Sequence, residues 1–188
     1  MKKALAILGS PREHGNAAKL LDIAVTCASN AGYDVKTVNL YQQHITWCKG
    51  CMACKDTGIC IIEDDITCIR EGLLNSDLVI LSSPTYFANV SAPVKNMFDR
   101  LVGAVMDDNN SPIPRPKLSS SQKYLLLTTC NTPFPFDRLG RQSSGCIRSM
   151  KEFFHISGMK CMGTVVFAGT RGQSQVPLRV KRNIEQYF

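Results

Sequence analysis

The sequence of 188 residues has no apolar run approaching the ~20 residues that a membrane-spanning helix needs. Its first segment, residues 1–8, is too short for a secretory signal and leads directly into a glycine turn. The apolar and charged fractions, 44% and 20%, are ordinary for a globular protein and exclude a disordered or fibrous chain. We therefore expect one cytoplasmic domain over residues 1–188.

The charge pattern also lacks the features of a nucleic-acid-binding protein. The formal net charge is +7, from 22 basic and 15 acidic residues. The basic residues are scattered, and no basic stretch is interleaved with aromatic side chains as in a nucleic-acid groove. The charge is compatible with a phosphate-bearing small molecule, and we expect neither a nucleic-acid partner nor a membrane partner.

Short apolar segments alternate with segments of helical periodicity. Strands are predicted at residues 4–8, 35–40, 78–81, 124–127 and 163–167, and the polarity of the second suits an edge strand. Helices are predicted at residues 17–28, 65–73, 94–102, 147–157 and 180–187. This order predicts an α/β fold with a flavodoxin-like five-stranded parallel sheet, strand order 2-1-3-4-5, and helices on both faces. The proline-containing stretches 106–121 and 131–143 are predicted to be surface loops.

The loop after the first strand has the composition of an anion site. In such a sheet, ligands bind at the carboxyl ends of the strands. Residues 9–16 lead into a helix whose free N–H groups attract an anion, and Ser10, Arg12 and Asn16 can add contacts. No lysine follows the second glycine, which disfavours nucleoside-triphosphate hydrolysis. The alternative is an ordinary strand–helix turn in which Asn16 caps the helix.

The loop after the third strand, residues 82–93, combines proline, two aromatic residues and small polar residues. A flat heteroaromatic ring needs an apolar wall with polar donors at its edge, and this loop can supply both. The alternative is that Tyr86 and Phe87 cover the end of the sheet as part of the core.

The cysteine content of the sequence is unusual. The chain has nine cysteines, near 5% of its residues, which is below the ~8–10% that marks a disulfide scaffold. Four of them, Cys48, Cys51, Cys54 and Cys60, form a cysteine-rich loop at 48–60. Their spacing suits a cuboidal iron–sulfur cluster, whereas zinc sites more often use two separated pairs. Reduced packing thiols and a transient disulfide, Cys51–Cys54 or Cys48–Cys51, remain alternatives.

Three motifs together carry a family resemblance: GSPREHGNAAKL at 9–20, CKGCMACKDTGICIIEDD at 48–65 and SSPTYFANVSAPVKNMFDR at 82–100. They resemble the NAD(P)H-dependent FMN reductase family of flavodoxin-like proteins, and the cysteine segment resembles its iron–sulfur flavoprotein branch. The resemblance covers roughly residues 1–103.

The resemblance implies FMN at the sheet end of each subunit of a homodimer or homotetramer. It implies phosphate contacts from Ser10, Arg12, Asn16 and Ala17, the last at a position where a hydroxyl residue is usual. It implies isoalloxazine contacts from Pro84, Thr85, Tyr86, Phe87 and Asn89. The loop with Cys130 and Asn131 faces the pyrimidine edge in this comparison, although family members often carry glycines there.

The resemblance also implies a function. The flavin would take electrons from NAD(P)H or a reduced carrier and pass them to an acceptor, directly or through a [4Fe–4S] cluster held by the four cysteines. No catalytic acid or base is required, because the chemistry belongs to the cofactor. The family includes members with a cluster and members whose similar cysteines hold no metal. An electron carrier without substrate turnover is the alternative function, and the +7 charge counts against it, since small carriers of this fold are typically acidic.

Overall fold

The computed structural model describes residues 1–107 and 113–188. Within these residues the strands are β1 (Lys2–Leu8), β2 (Tyr33–Asn39), β3 (Leu78–Pro84), β4 (Met106–Asp107), β5 (Arg115–Pro116), β6 (Lys123–Cys130) and β7 (Lys160–Ala168). The helices found there are α1 (Asn16–Asn30), α2 (Cys54–Thr57), α3 (Ile66–Asn75), α4 (Ala92–Val105), α5 (Phe136–Leu139), α6 (Gln142–Ser157) and α7 (Leu178–Glu185).

Five strands form one parallel sheet in the order β2-β1-β3-β6-β7. Counted among these five strands, the order is 2-1-3-4-5, so the predicted flavodoxin-like topology is confirmed. The central strand β3 is buried at its first six positions, because helices cover both of its faces. Strand β2 is exposed or partly buried at every position except the buried Val38, and it lies at the edge, as its polarity predicts.

The pleat of the strands divides the core into two layers. Leu5 and Ile7 of β1 belong to the cluster packed under α3, α4 and α6, whereas Ala4, Ala6 and Leu8 belong to the cluster under α1 and α7. Both faces of the sheet are therefore covered. Among the described residues, no helix combines the length and apolar character needed to cross a membrane.

Some local predictions are wrong. The stretch 131–143, predicted as a surface loop, contains α5 and the start of α6, and its Asp137 and Ser143 are buried and joined by a hydrogen bond of 2.5 Å. In the predicted loop 106–121, β4 and β5 pair in a short antiparallel ladder, while residues 108–112 lie outside the described residues. Helix α1 is capped by Gly15, and Asn16 is its first residue.

Candidate functional site

The carboxyl ends of β1 and β3 are tied together by hydrogen bonds around the first loop. The N–H of Gly9 donates to the carbonyl of Ser82 at 2.8 Å, and the hydroxyl of Ser91 donates to the carbonyl of Gly9 at 2.7 Å. A Cβ at position 9 would overlap the side chain of Val94 on α4. Glycine is therefore required there, because the loop passes directly over the start of α4.

A cleft of about 580 Å³ opens at this edge of the sheet. It brings together eight of the predicted cofactor-binding residues: Ser10, Arg12, Asn16, Ala17, Pro84, Thr85, Tyr86 and Asn131. Its remaining lining residues are His14, Gly15, Lys19, Thr129 and the segment 170–174. None of the lining residues that the structure describes carries a carboxylate, whereas Arg12, Lys19 and Arg171 are cationic. The cleft is therefore suited to an anionic ligand.

One wall of the cleft is the loop after β7, which the sequence prediction missed. The side-chain amide of Asn16 donates to the carbonyl of Gln173 at 3.2 Å, and the ammonium of Lys19 donates to the carbonyl of Ser174 at 2.5 Å. The hydroxyl of Thr170 donates to the side-chain oxygen of Asn131 at 2.9 Å. The segment 169–174 follows a parallel strand and contains two glycines with positive φ, so its position and composition are the signals that could have revealed it.

The loop after β3 turns sharply at residues 86–89. Tyr86 and Asn89 exchange two backbone hydrogen bonds of 2.9 Å, and Phe87 and Ala88 between them have positive φ values of 48° and 59°. A Cβ on Gly145 of α6 would overlap the carbonyl oxygen of Ala88, so this turn is braced against α6. The side chain of Phe87 is fully exposed, and neither Phe87 nor Asn89 belongs to the cleft lining.

Cys130, at the end of β6, lies beneath the cleft. Its side chain is 2% exposed, its thiol donates to Gln142 Oε1 at 3.5 Å, and it is not part of the lining. A second buried thiol, Cys146 of α6, lies 3.4 Å from the Thr128 hydroxyl, which donates to the carbonyl of Ser83 at 2.8 Å and lies 3.0 Å from the hydroxyl of Thr85. Burial raises the pKa of the Cys146 thiol, which therefore stays protonated at neutral pH.

The four clustered cysteines line one small cavity of about 30 Å³ on the outer side of α4. Cys48 and Cys51 are exposed, and Cys54 and Cys60 are partly buried. Two features of α4 hold the loop. The N–H of Cys48 donates to Asn96 Oδ1 at 3.0 Å, and a Cβ on Gly103 would overlap the carbonyl oxygen of Cys54. The cysteine-rich loop is thus seated on the same helix whose N-cap, Ser91, bonds to Gly9 of the first loop.

Arg100 of α4 is the main anchor of this loop. Its side chain is completely buried and pairs with the buried carboxylate of Asp64 through two hydrogen bonds of 2.8 and 2.9 Å. It donates to the carbonyls of Thr46 and Ile62 as well, and its Nε–H donates to Cys60 Sγ at 3.2 Å. Every N–H of the guanidinium therefore has an acceptor in the segment 46–64.

The donor chemistry and the arrangement of the four thiols bear differently on a metal. Four sulfur donors facing one cavity are the ligand set of an iron–sulfur cluster. Yet no three His, Cys, Asp or Glu side chains of residues 1–107 and 113–188 are arranged as a metal site. A cavity of about 30 Å³ has room for little more than a water molecule. The donors fit a cluster, and the exposed thiols of Cys48 and Cys51 would have to turn towards the partly buried Cys54 and Cys60 to complete one.

A flavodoxin-like sheet with a cationic cleft at the carboxyl ends of its strands defines a class of cofactor-binding proteins. Within that class the family is established by sequence: a model of NADPH-dependent FMN reductases matches residues 2–113. The chain belongs to this family. The resemblance carried by the three motifs is confirmed.

Several curated relatives are described as iron-sulfur flavoproteins. One from Archaeoglobus fulgidus is 42% identical over 100 residues, covering 53% of this chain and 46% of that protein. One from Methanosarcina thermophila is 36% identical over 100 residues, covering 53% and 52%. One from Methanocaldococcus jannaschii is 28% identical over 171 residues, covering 90% and 79%. The chain thus matches about half the length of the first two relatives.

Solved structures share the fold across the whole chain. An azoreductase from Bacillus anthracis has a TM-score of 0.74 at 16% identity, covering 100% of this chain and 97% of that one. An FMN-dependent NADH-azoreductase from the same species, solved in complex with FMN, has a TM-score of 0.72 at 12% identity, covering 98% and 95%. At these identities the similarity concerns the fold alone, and it includes the strands that follow residue 113.

Proposed function

We propose that the chain binds FMN in the cleft and functions as an FMN-dependent oxidoreductase that takes electrons from NAD(P)H or a reduced carrier. The observation that carries the proposal is the cleft itself: cationic side chains and a helix N-terminus adjoin a wall formed by Pro84 and Tyr86. Family membership, through the model of NADPH-dependent FMN reductases, supports the same conclusion.

The phosphate of FMN would bind at the start of α1. The first N–H groups of a helix lack partners within the helix and carry partial positive charge, so they bind an anion there. Ser10 is buried beside this position, and its oxygen accepts the N–H of Arg12 at 3.2 Å, which holds the loop in shape. Arg12 and Lys19 add positive charge, so the chain neutralises a phosphate dianion without a metal ion.

The isoalloxazine would lie against the loop after β3. Thr85 is fixed by a hydrogen bond of 2.8 Å from its N–H to the carbonyl of Thr129 on the neighbouring strand, and Tyr86 is half-exposed beside it. When bound, FMN would supply the hydride and electron chemistry, and the residues of the chain would bind and orient it. Because the cleft is open, a nicotinamide and an acceptor can reach the flavin in turn.

The four cysteines of the 48–60 loop would hold a [4Fe–4S] cluster. Support comes from their donor chemistry, from the cavity they share, and from relatives described as iron-sulfur flavoproteins. Held by these cysteines, a cluster would supply one-electron chemistry to the protein. We propose that the electron acceptor is a small molecule or a protein that approaches the molecule at the cysteine-rich loop.

One experiment tests both parts. The protein is purified anaerobically, flavin, iron and sulfide are quantified together, and the bleaching of bound flavin by NADPH and by NADH is followed. We expect one FMN per chain, four iron and four sulfide per chain, and bleaching by one of the two nucleotides. FMN without iron would leave a plain reductase. Failure to bind added FMN would overturn the proposal, and flavin that neither nucleotide bleaches would favour the electron carrier.

A further inference from the structure

The hydrogen bond between Arg100 and Cys60 stands apart from the other anchors of the cysteine-rich loop, because it ends on a sulfur atom. Asn96 and Gly103 hold the loop through backbone groups of Cys48 and Cys54. Arg100 also holds backbone carbonyls, but its Nε–H points at Cys60 Sγ at 3.2 Å. Its guanidinium cannot turn away, because the remaining four N–H groups are engaged by Asp64, Thr46 and Ile62.

We propose that Arg100 is a positioning residue for the iron–sulfur site: it fixes Cys60 as a ligand and raises the reduction potential of the cluster through an N–H···S hydrogen bond. This inference rests on the cluster assigned under the proposed function. Reduction adds negative charge that spreads onto the ligand sulfurs. A donor aimed at one of those sulfurs therefore stabilises the reduced form more than the oxidised form.

Because Arg100 and Asp64 carry opposite charges, the pair would act on the reduction potential through the N–H···S hydrogen bond and not through its net charge. Asp64 neutralises Arg100, and both side chains are shielded from water, at 2% and 0% exposure. What reaches Cys60 is therefore chiefly the local N–H dipole, acting in a region of low dielectric constant where it is not screened. Removing both members of the pair would leave the net charge unchanged, but it would take the donor from Cys60 Sγ and also from the carbonyls of Thr46 and Ile62.

The test compares the wild-type protein with the double variant Arg100→Met, Asp64→Asn. Replacing both partners avoids leaving one buried charge unpaired, which would be strongly destabilising. The matched control is Arg148→Met, Glu152→Gln, which removes one exposed charge of each sign from neighbouring turns of α6, outside the cavity lined by the cysteines. Iron and sulfide are quantified, and the midpoint potentials of cluster and flavin are measured by titration with electron paramagnetic resonance and absorption.

We expect the double variant to keep its FMN and to show a lower cluster potential, by about 59 mV for each tenfold loss in relative stabilisation of the reduced form. The flavin potential and both potentials of the control should stay at the wild-type values. A folded variant that retains FMN but binds no iron would support the positioning role. A cluster bound at an unchanged potential would overturn the inference.

A second variant guards against misfolding. Arg100→Lys keeps the ion pair with Asp64 but lacks the fixed Nε–H, so its cluster potential should also fall below that of the wild type. Wild-type protein that binds FMN yet takes up no iron or sulfide on anaerobic reconstitution would remove the cluster from the proposed function, and this inference with it. If Arg100→Lys binds iron and its cluster potential is unchanged, the proposed role of Arg100 is overturned and the cluster assignment is kept.

Discussion

At the scale of single residues, Asp64 and Arg100 form the part of the molecule in which charge and burial are most closely balanced. Burial by itself would raise the pKa of Asp64, but hydrogen bonds from Arg100 and from the N–H groups of Thr46 and Ile66 outweigh it. The pKa of this carboxyl is therefore lowered below its ordinary value. A carboxyl lowered in this way stabilises the fold above its unfolded-state pKa of about 3.9, and that contribution is lost as pH falls through the folded-state pKa.

Asp64→Asn alone should destabilise the fold by about 3–5 kcal/mol at pH 7, because it leaves the Arg100 charge buried without a counter-ion. The difference from wild type should shrink as the pH falls through and below about 4, where the wild type loses the same interaction. Urea unfolding at pH 7 and at several acidic pH values measures both effects. Asp99→Asn, which removes an exposed partner of Lys95, is the control and should cost well under about 1 kcal/mol. A pH-independent difference would contradict the assignment.

The sequence identified the thiols but not what holds them. Four cysteines at short spacing are visible as a pattern, whereas Arg100 is 40 residues from Cys60 and lies at the end of a motif attributed to the flavin. Hydrogen bonds over such separations depend on the folded chain and have no local periodicity. The same holds for Lys19, whose partner Ser174 is 155 residues away.

At the scale of elements, helix α4 connects the two parts of the candidate site. The short helix α2 of the cysteine-rich loop packs against Gly103 so closely that a side chain there would overlap the backbone of Cys54. Backbone atoms cannot rotate away as the end of a side chain can. The packing of α2 on α4 therefore requires glycine at position 103.

Gly103→Ala should displace the cysteine-rich loop from α4 and destabilise the fold by about 1–3 kcal/mol, the usual cost of overpacking. The control is Gly72→Ala in α3, where the nearest atom to the new Cβ is the flexible end of Leu5 at 3.1 Å. Urea unfolding and limited proteolysis within residues 48–60 are the measurements, and only the first variant should become sensitive to protease. FMN affinity should change less than twofold, because the cleft lies at the other end of α4. Equal behaviour of the two variants would show that the loop tolerates the methyl group.

Most helices and strands were predictable because each carries its own periodicity, apolar runs for strands β3 and β6 and helical spacing for α1 and α4. Helix α5 was not, since its four residues offer too short a pattern. The start of α6 was also missed: Gln142, Ser143 and Ser144 are polar and carry no apolar periodicity, and the buried Ser143 is paired with Asp137, which no local pattern indicates.

At the scale of the whole molecule, the cleft is made by loops from widely separated parts of the chain. The family model ends at residue 113, yet Thr129, Asn131 and the segment 170–174 all line the cleft. The loop after β7 was outside the prediction because the resemblance ended near residue 103. The parallel sheet nevertheless brings that loop to the same edge as the first. The homodimer or homotetramer that the resemblance implies stays a prediction.

The concentration of cations in the cleft should make FMN binding sensitive to salt. Raising KCl from 50 to 500 mM is expected to weaken FMN binding severalfold, because partly exposed charges are screened within about 10 Å or less. Riboflavin has no phosphate, so its weaker affinity should be almost independent of salt. Flavin fluorescence quenching measures both. Arg171→Gln should flatten the FMN curve, and an equal salt dependence for riboflavin would place the effect away from the phosphate.

Helix α4 also sets a register between the two halves of the site. Ser91, immediately before the helix, meets the first loop at Gly9, and Arg100 meets Cys60 about 13.5 Å further along the axis, at about 1.5 Å per residue. One residue inserted between them would turn the cysteine-rich loop by about 100° around the helix. A single-residue insertion or deletion between Ser91 and Arg100 would therefore uncouple the two halves of the site, whereas substitutions in the 48–60 loop that keep its backbone contacts with Asn96 and Gly103 would preserve this register.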